Sequence, residues 1–293
     1  MITFDHVTKS FGQKRAVDAL SFHAPAGRVT GFLGRNGAGK STSLRVLCGL
    51  CRPDSGMATV AGRRFTQLPV PGRTIGVLLD AGAQHPGRTG GEVLSLAARC
   101  THQSPARCTE LLERVGLARA AGTKVGAYSL GMRQRLGLAV ALVGEPAVLA
   151  LDEPANGLDP EGVRWLRGLL DDFATAGGTV LLSSHLLAEV QQIADRIVVL
   201  DAGRKVAEAD TADLLAGPGQ RSTVVDAADL PRLLQGLEHA GIAVSAPGSS
   251  GTVVSASPEC VGAVAAQLGV ALTRLEPARR DLEDVFFSLT RTE

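Results

Sequence analysis

Cysteine is scarce and odd in number, five in 293 residues and scattered, which excludes a disulfide-stapled fold. Cys48 and Cys51 have C-x-x-C spacing, but no second ligand pair follows at a zinc-site distance, so they read as small apolar residues. Charge of one sign is also missing. A net charge of +1 argues against a nucleic-acid binder that works through a strong basic field, so no nucleic-acid partner is expected. Lysine occurs only at Lys9, Lys14, Lys40, Lys124 and Lys205, arginine carrying the rest of the positive charge. The longest apolar stretch, Leu136 to Leu151, is broken by Gly144, Glu145 and Pro146 and falls short of the roughly 20 residues that span a bilayer. Met1 to Lys9 alternates apolar and polar like a strand and lacks the charged flank and apolar segment of a signal peptide, so the chain is expected to stay in the cytosol. Any membrane role must then come through a partner. There is no heptad run, low-complexity tract or tandem repeat.

Against these absences stands Gly34 to Thr42, Gly-Arg-Asn-Gly-Ala-Gly-Lys-Ser-Thr. It fits G-x-x-x-x-G-K-[ST] with Gly34, Gly39, Lys40 and Ser41, a loop whose backbone N–H groups surround phosphate oxygens while the lysine neutralises them. Arg28 to Leu33 before it has strand character, and Ser41 to Leu50 after it has apolar residues at helical spacing. Phosphates would sit on a helix N-terminus, where free N–H groups and the dipole favour anions. A dinucleotide G-x-G-x-x-G reading fails, because Thr42 stands where the third glycine belongs. The expected ligand is a nucleoside triphosphate held by Gly34, Arg35, Asn36, Gly37, Ala38, Gly39, Lys40, Ser41 and Thr42.

Strand-like runs at Ile2 to His6, Val17 to His23, Ala147 to Leu151 and Thr179 to Ser183 alternate with helical patterns, including Glu161 to Ala174. That order predicts an α/β fold with a mainly parallel sheet covered by helices. Residues 91–142 are mostly helical in pattern, with Gly91 to Cys100 and Ala106 to Val115 as clear helices. The turn-forming cluster Ala216 to Ser222 predicts a linker between a domain of residues 1–215 and a smaller one of residues 223–293. Beyond it, strands at Thr223 to Asp226, Ile242 to Ser245, Thr252 to Ala256 and Val270 to Glu276, with helices at Leu230 to Ala240 and Cys260 to Leu268, read β-α-β-β-α-β. This is a ferredoxin-like α+β pattern, followed by a helix over Leu282 to Thr290. No catalytic constellation stands out there, so a docking or dimerising role is expected.

Val148 to Pro154, Val-Leu-Ala-Leu-Asp-Glu-Pro, is an apolar strand ending in two carboxylates. Such a strand would deliver Asp152 beside the phosphate loop, to orient a Mg²⁺ shell together with the Ser41 hydroxyl. Glu153 would then polarise the attacking water. His185, after the run ending at Ser184, suits a donor to the γ-phosphate in this order.

Between these halves lies Tyr128-Ser129-Leu130-Gly131-Met132-Arg133-Gln134-Arg135, followed by an apolar helix. Here the chain resembles the ATP-binding cassette (ABC) family over about Met1 to Leu215. The phosphate loop, this signature, the Asp152-Glu153 pair, the loop Asn156-Gly157-Leu158-Asp159 and His185 come in the family's order and spacing. The resemblance implies a P-loop ATPase domain with a helical subdomain over about 91–142, with ATP and Mg²⁺ as cofactors. It implies that Phe11 stacks on adenine and that Ser129, Gly131 and Asp159 contact nucleotide. Two departures stand out. Leu130 and Met132 replace a glycine and a glutamine of the usual signature, and Asp80 stands where the family places a metal-sensing glutamine after the strand Thr74 to Leu79. Asp80 is therefore a candidate metal contact, with Gln84 the second candidate for that loop.

In family terms the signature of one cassette closes on the phosphate loop of another, so a single cassette implies a homodimer. The resemblance implies an ATP-hydrolysing subunit of a transporter, bound at the inner face of the cell membrane through integral membrane permease subunits. The tail Leu282-Glu283-Asp284-Val285-Phe286-Phe287 resembles those of daunorubicin-resistance and related multidrug export ATPases, which favours export. The alternative is a soluble ABC ATPase of translation or DNA maintenance. It is disfavoured because neither a second cassette nor a long coiled coil is present. A GTPase or P-loop kinase is poorer still, since no N-K-x-D motif occurs.

Overall fold

The computed structural model describes residues 1–216, 222–244, 252–277 and 282–290. They divide into two compact units, Met1–Thr211 with Phe286–Glu293, and Ala212–Val285.

The first unit begins with β1 (Ile2–Phe11), β2 (Lys14–Ala24), β3 (Arg28–Gly34), α1 (Lys40–Leu47), β4 (Ser55–Val60) and β5 (Ile75–Leu78). The helices α2 (Gly90–Cys100), α3 (Pro105–Arg114) and α4 (Leu130–Leu142) follow, where the sequence predicts a helical region. Then come β6 (Val148–Asp152), α5 (Pro160–Thr175), β7 (Thr179–Ser184), α6 (Leu187–Ile193), β8 (Arg196–Asp201) and β9 (Arg204–Asp210).

One sheet has the order β5-β6-β7-β3-β8-β9. It is parallel up to β8, and β9 runs antiparallel along the edge. The residues of β7 are all buried, as are the first four of β6, which is what a strand covered on both faces requires. A second, antiparallel sheet has the order β2-β1-β4. Leu44 and Leu47 of α1 join Ile2, Phe4, Phe22, Phe32, Leu181 and Val198 in one core shared by both sheets. Phe22 stacks on Phe4 at 4.7 Å and on Phe32 at 5.2 Å, locking the antiparallel sheet onto β3.

Parallel pairing puts the C-terminal ends of β3, β6 and β7 on one edge, where the phosphate loop, Asp152 and His185 lie. β4, β8 and β9 were not predicted. The helix expected over Ser41 to Leu50 stops at Leu47, because Gly49 turns into the left-handed region at φ +69° and the Leu50 N–H returns to the Arg45 carbonyl at 2.9 Å. Helix α2 starts where Thr89 and Glu92 exchange hydrogen bonds, Thr89 N–H to Glu92 Oε2 at 2.8 Å and Glu92 N–H to Thr89 Oγ1 at 3.2 Å.

The chain then enters α7 (Thr211–Ala216). The units divide at the start of this helix rather than at 216, since Thr211 is tied to the first unit by its hydroxyl on the Ala194 carbonyl, 2.5 Å, and its N–H on Asp195 O, 2.9 Å. Of the expected linker, residues 217–221 lie outside the described residues. The second unit contains β10 (Thr223–Ala227), α8 (Leu230–His239), β11 (Thr252–Val254), α9 (Pro258–Leu268) and β12 (Leu272–Pro277). Its sheet is antiparallel in the order β11-β10-β12, over a core of Val225, Leu233, Leu237, Val254 and Val261. The strand expected at Ile242 to Ser245 is reduced, among the described residues, to one bridge from Val244 to Val254, and Ser245 lies outside them. A final helix, α10 (Leu282–Thr290), matches the predicted span.

Candidate nucleotide site

The loop from β3 to α1 is shaped by its glycines. Gly37 and Gly39 adopt φ of +83° and +106°, which side-chain-bearing residues rarely take. A Cβ on Gly39 would lie 2.4 Å from the Ala16 carbonyl oxygen, so β2 passes directly against the loop. The Gly203 N–H, in the turn between β8 and β9, holds the Ala38 carbonyl at 3.1 Å. Arg35, Asn36 and Gly37 are exposed, Ser41 and Thr42 partly so, while Lys40 is buried to 6% exposure. Its ammonium donates to the Gly34 carbonyl at 2.6 Å and lies 3.9 Å from Glu153 Oε1. Burial lowers the Lys40 pKa, and the charges of Glu153 and Asp152 pull it back. An anion in the loop would compete with Glu153 for this buried cation.

Asp152 ends β6 and Glu153 follows it. The Ser183 hydroxyl of β7 donates to Asp152 Oδ1 and accepts from the Glu153 N–H at 3.1 Å, so one buried serine fixes both acidic residues. Glu153 has φ +50°, a strained conformation for a glutamate. Its Oε2 lies 2.7 Å from His185 Nδ1 and accepts the His185 N–H at 3.3 Å. Lysine, carboxylates and histidine, from three adjacent strands, thus surround one point. Glu189, one turn into α6, has Oε2 buried without a hydrogen-bond partner among the described residues. Burial raises its pKa, with the Glu153 charge acting in the same sense and His185 against both.

Phe11 ends β1, a 56% exposed residue with the Lys9 ammonium 5.4 Å from its ring centroid. Ser129 caps α4, its Oγ accepting the Met132 N–H at 3.2 Å. A Cβ on Gly131 would meet the Gly157 carbonyl oxygen at 2.8 Å, so the signature packs against the 156–159 loop. The Asp159 carboxylate accepts the Gly162 N–H at 2.8 Å and caps α5. Asp80 accepts the Gly82 N–H at 2.7 Å, an Asx turn that leaves its other oxygen without a hydrogen-bond partner among the described residues. A cavity of about 500 Å³ is lined by Asp80, Gln84, Leu130, Gln134, Asp152, Glu153 and Gly157, but by none of residues 34–42. Asp80 and the acidic pair therefore share a space that the signature also borders.

Ser183, Gln134 and Glu189 were missed. A serine pair after the apolar run Val180 to Leu182, Ser183-Ser184, was the one available signal for the first.

An ABC transporter family model matches residues 17–156. The chain is 43% identical over 223 residues to the daunorubicin resistance ATP-binding protein DrrA3 of Streptomyces coeruleorubidus, covering 74% of this chain and 71% of that protein. This chain belongs to the ABC transporter ATP-binding proteins. It is also 32% identical over 296 residues to the bacitracin transport ATP-binding protein BcrA of Enterococcus faecalis, covering 99% of this chain and 96% of that one. Among solved structures, an ATP-binding subunit of an ABC transporter superposes with a TM-score of 0.68 at 27% identity, over 73% of this chain and 91% of that chain. The expected family and nucleotide-domain fold are thereby shown, and the ABC chain is an ATP-binding, ATP-hydrolysing transporter subunit. The soluble translation or DNA-maintenance alternative is not favoured. Among the described residues no helix is long and apolar enough to cross a membrane.

Proposed function

We propose that this ABC subunit hydrolyses ATP to drive export of a drug-like or other small molecule through a separate integral membrane permease, working as a homodimer on the cytoplasmic face of the membrane. The relatives' roles in drug and peptide resistance and transport support export. In this reading Gly34 to Thr42 hold the triphosphate, Lys40 neutralises its β and γ phosphates, and Phe11 stacks on adenine. Glu153 is the general base and His185 directs a donor at the γ-phosphate. The observation that carries the assignment is the placement of Glu153 between Lys40, 3.9 Å away, and His185, 2.7 Å away.

Mg²⁺ fits the donors available. Among the described residues no group of three or more His, Cys, Asp or Glu could hold a metal alone, while Ser41 Oγ has no hydrogen-bond partner and Asp152 keeps Oδ2 unpartnered. Few protein oxygens, supplemented by phosphate oxygens and water, are what Mg²⁺ takes when it arrives with a nucleotide. Bound there, it would neutralise charge on the phosphates. Asp80 or Gln84 would sense it from across the cavity.

The exposed N-terminus of α4, with Ser129 and Gly131, would meet the nucleotide of a second copy, and Asp159 would lie at the same junction. Residues 223–293 would dock or regulate without taking part in chemistry. Glu153→Gln tests the base assignment. Purified, it should keep ATP affinity while turnover falls roughly 10² to 10⁴-fold, and the ATP-bound dimer should accumulate in sedimentation. Near-normal turnover would remove Glu153 from the role.

A further inference from the structure

The main chain of Glu153 is held from the signature helix. Gln134, on the second turn of α4 and 3% exposed, donates from Nε2 to the Glu153 carbonyl at 2.8 Å. The same carbonyl accepts the Asn156 N–H at 3.1 Å, and the Glu153 N–H is shared between Ser183 O and Ser183 Oγ, both at 3.1 Å. These bonds surround a residue at φ +50°, a conformation that persists only where neighbours over-determine it. Ser183 and Asn156 come from β7 and from the loop directly after Glu153. Gln134 alone comes from α4, and its helix also touches that loop where Leu130 packs on Gly157.

We propose that Gln134 is a positioning residue for ATP hydrolysis: it fixes the strained Glu153 backbone from the signature helix, so that the carboxylate is aimed from α4 as well as from β6 and β7. This rests on the reading of Glu153 as general base. Among the described residues Gln134 makes no hydrogen bond to the phosphate loop, so its loss acts on turnover and leaves binding in place. Movement of α4 when its N-terminus engages a second nucleotide would reach Glu153 through one buried amide.

Gln134→Leu preserves bulk and removes the donor, and Gln134→Glu preserves shape but donates only when its carboxyl is protonated. In the full chain, kcat of Gln134→Leu should fall about 10 to 100-fold at every pH, as expected for a misplaced catalytic group, while the Kd of a fluorescent ATP analogue stays within about two-fold. Gln134→Glu should show the same loss at pH 8.5 and recover most of it near pH 6, because a buried carboxyl holds its proton above the ordinary range and then donates to the Glu153 carbonyl. Wild-type kcat in Gln134→Leu would overturn the proposal. So would a loss of nucleotide affinity as large as the loss of turnover, or a Gln134→Glu deficit that does not change with pH. Failure of the base assignment itself would register separately, as normal turnover in Glu153→Gln.

Discussion

Gly37 and Gly39 separate two costs that phosphate-loop glycines usually combine. Both have positive φ, but a Cβ on Gly37 would find nothing nearer than the Lys14 ammonium at 4.0 Å, the end of a flexible side chain. Gly37→Ala should therefore cost only the backbone penalty, about 1–2 kcal/mol. At Gly39 the added carbon would meet the Ala16 carbonyl oxygen at 2.4 Å. That oxygen cannot retreat freely, because Val17 and Lys9 are paired in the β1–β2 ladder and the Asp18 N–H is bonded to the Gly203 carbonyl at 2.9 Å. Overpacking of this kind adds about 1–3 kcal/mol to a backbone cost of about 1–3 kcal/mol, so Gly39→Ala should lose about 2–6 kcal/mol. The lone tryptophan, Trp165 on α5, reports unfolding of the first unit by fluorescence. Urea titrations without nucleotide should place the Gly39→Ala midpoint clearly below that of Gly37→Ala. Equal midpoints, or the reverse order, would refute the steric argument.

Two further outcomes follow from titratable groups. The folded-state pKa of Glu189 is raised by burial, so the folded chain binds that proton more tightly than the unfolded chain. Its stabilising contribution is complete below the ordinary glutamate range and is lost as pH rises through the raised value. Glu189→Gln should therefore melt above the wild type at pH 8, the gap closing toward pH 4; a lower melting temperature at pH 8 would contradict this. Burial pushes the Cys48 thiol up to about 12, whereas Cys100 and Cys260 are exposed. A maleimide at neutral pH should modify Cys100 and Cys260 in the folded chain and leave Cys48 unmodified until denaturation, read by peptide mass. Rapid labelling of Cys48 would mean that α1 does not pack as described.

What could be read in advance depended on how local the physics was. The phosphate loop is legible because its glycines, lysine and hydroxyl are contiguous and each answers a local demand of backbone or charge. Asp152 and Glu153 are legible as carboxylates ending an apolar run. Gln134 and Ser183 act across 19 and 30 residues of chain, through hydrogen bonds that exist only after α4 and β7 have docked, and no short window signals them. β9 escaped prediction because an antiparallel edge strand, with no fully buried residue along Arg204–Asp210, carries little apolar pattern. The strand around Ile242 illustrates the opposite limit. Ile242 and Val244 have the composition of a strand, yet among the described residues only Val244 bridges to Val254, since the bridge depends on what the neighbouring backbone offers.

The strand order has a consequence for how this protein is made. β3 pairs with β7, and β6 reaches it only through β7, so the edge that gathers phosphate loop, carboxylates and histidine cannot exist until the chain has been synthesised past β7 and His185. A ribosome-bound fragment carrying an intact phosphate-loop sequence would have no site to fill. ATP can stabilise only a chain in which that edge has formed, because a ligand shifts the folding equilibrium only through the state that binds it. Nucleotide is thus withheld from the growing polypeptide until β3, β6 and β7 lie side by side.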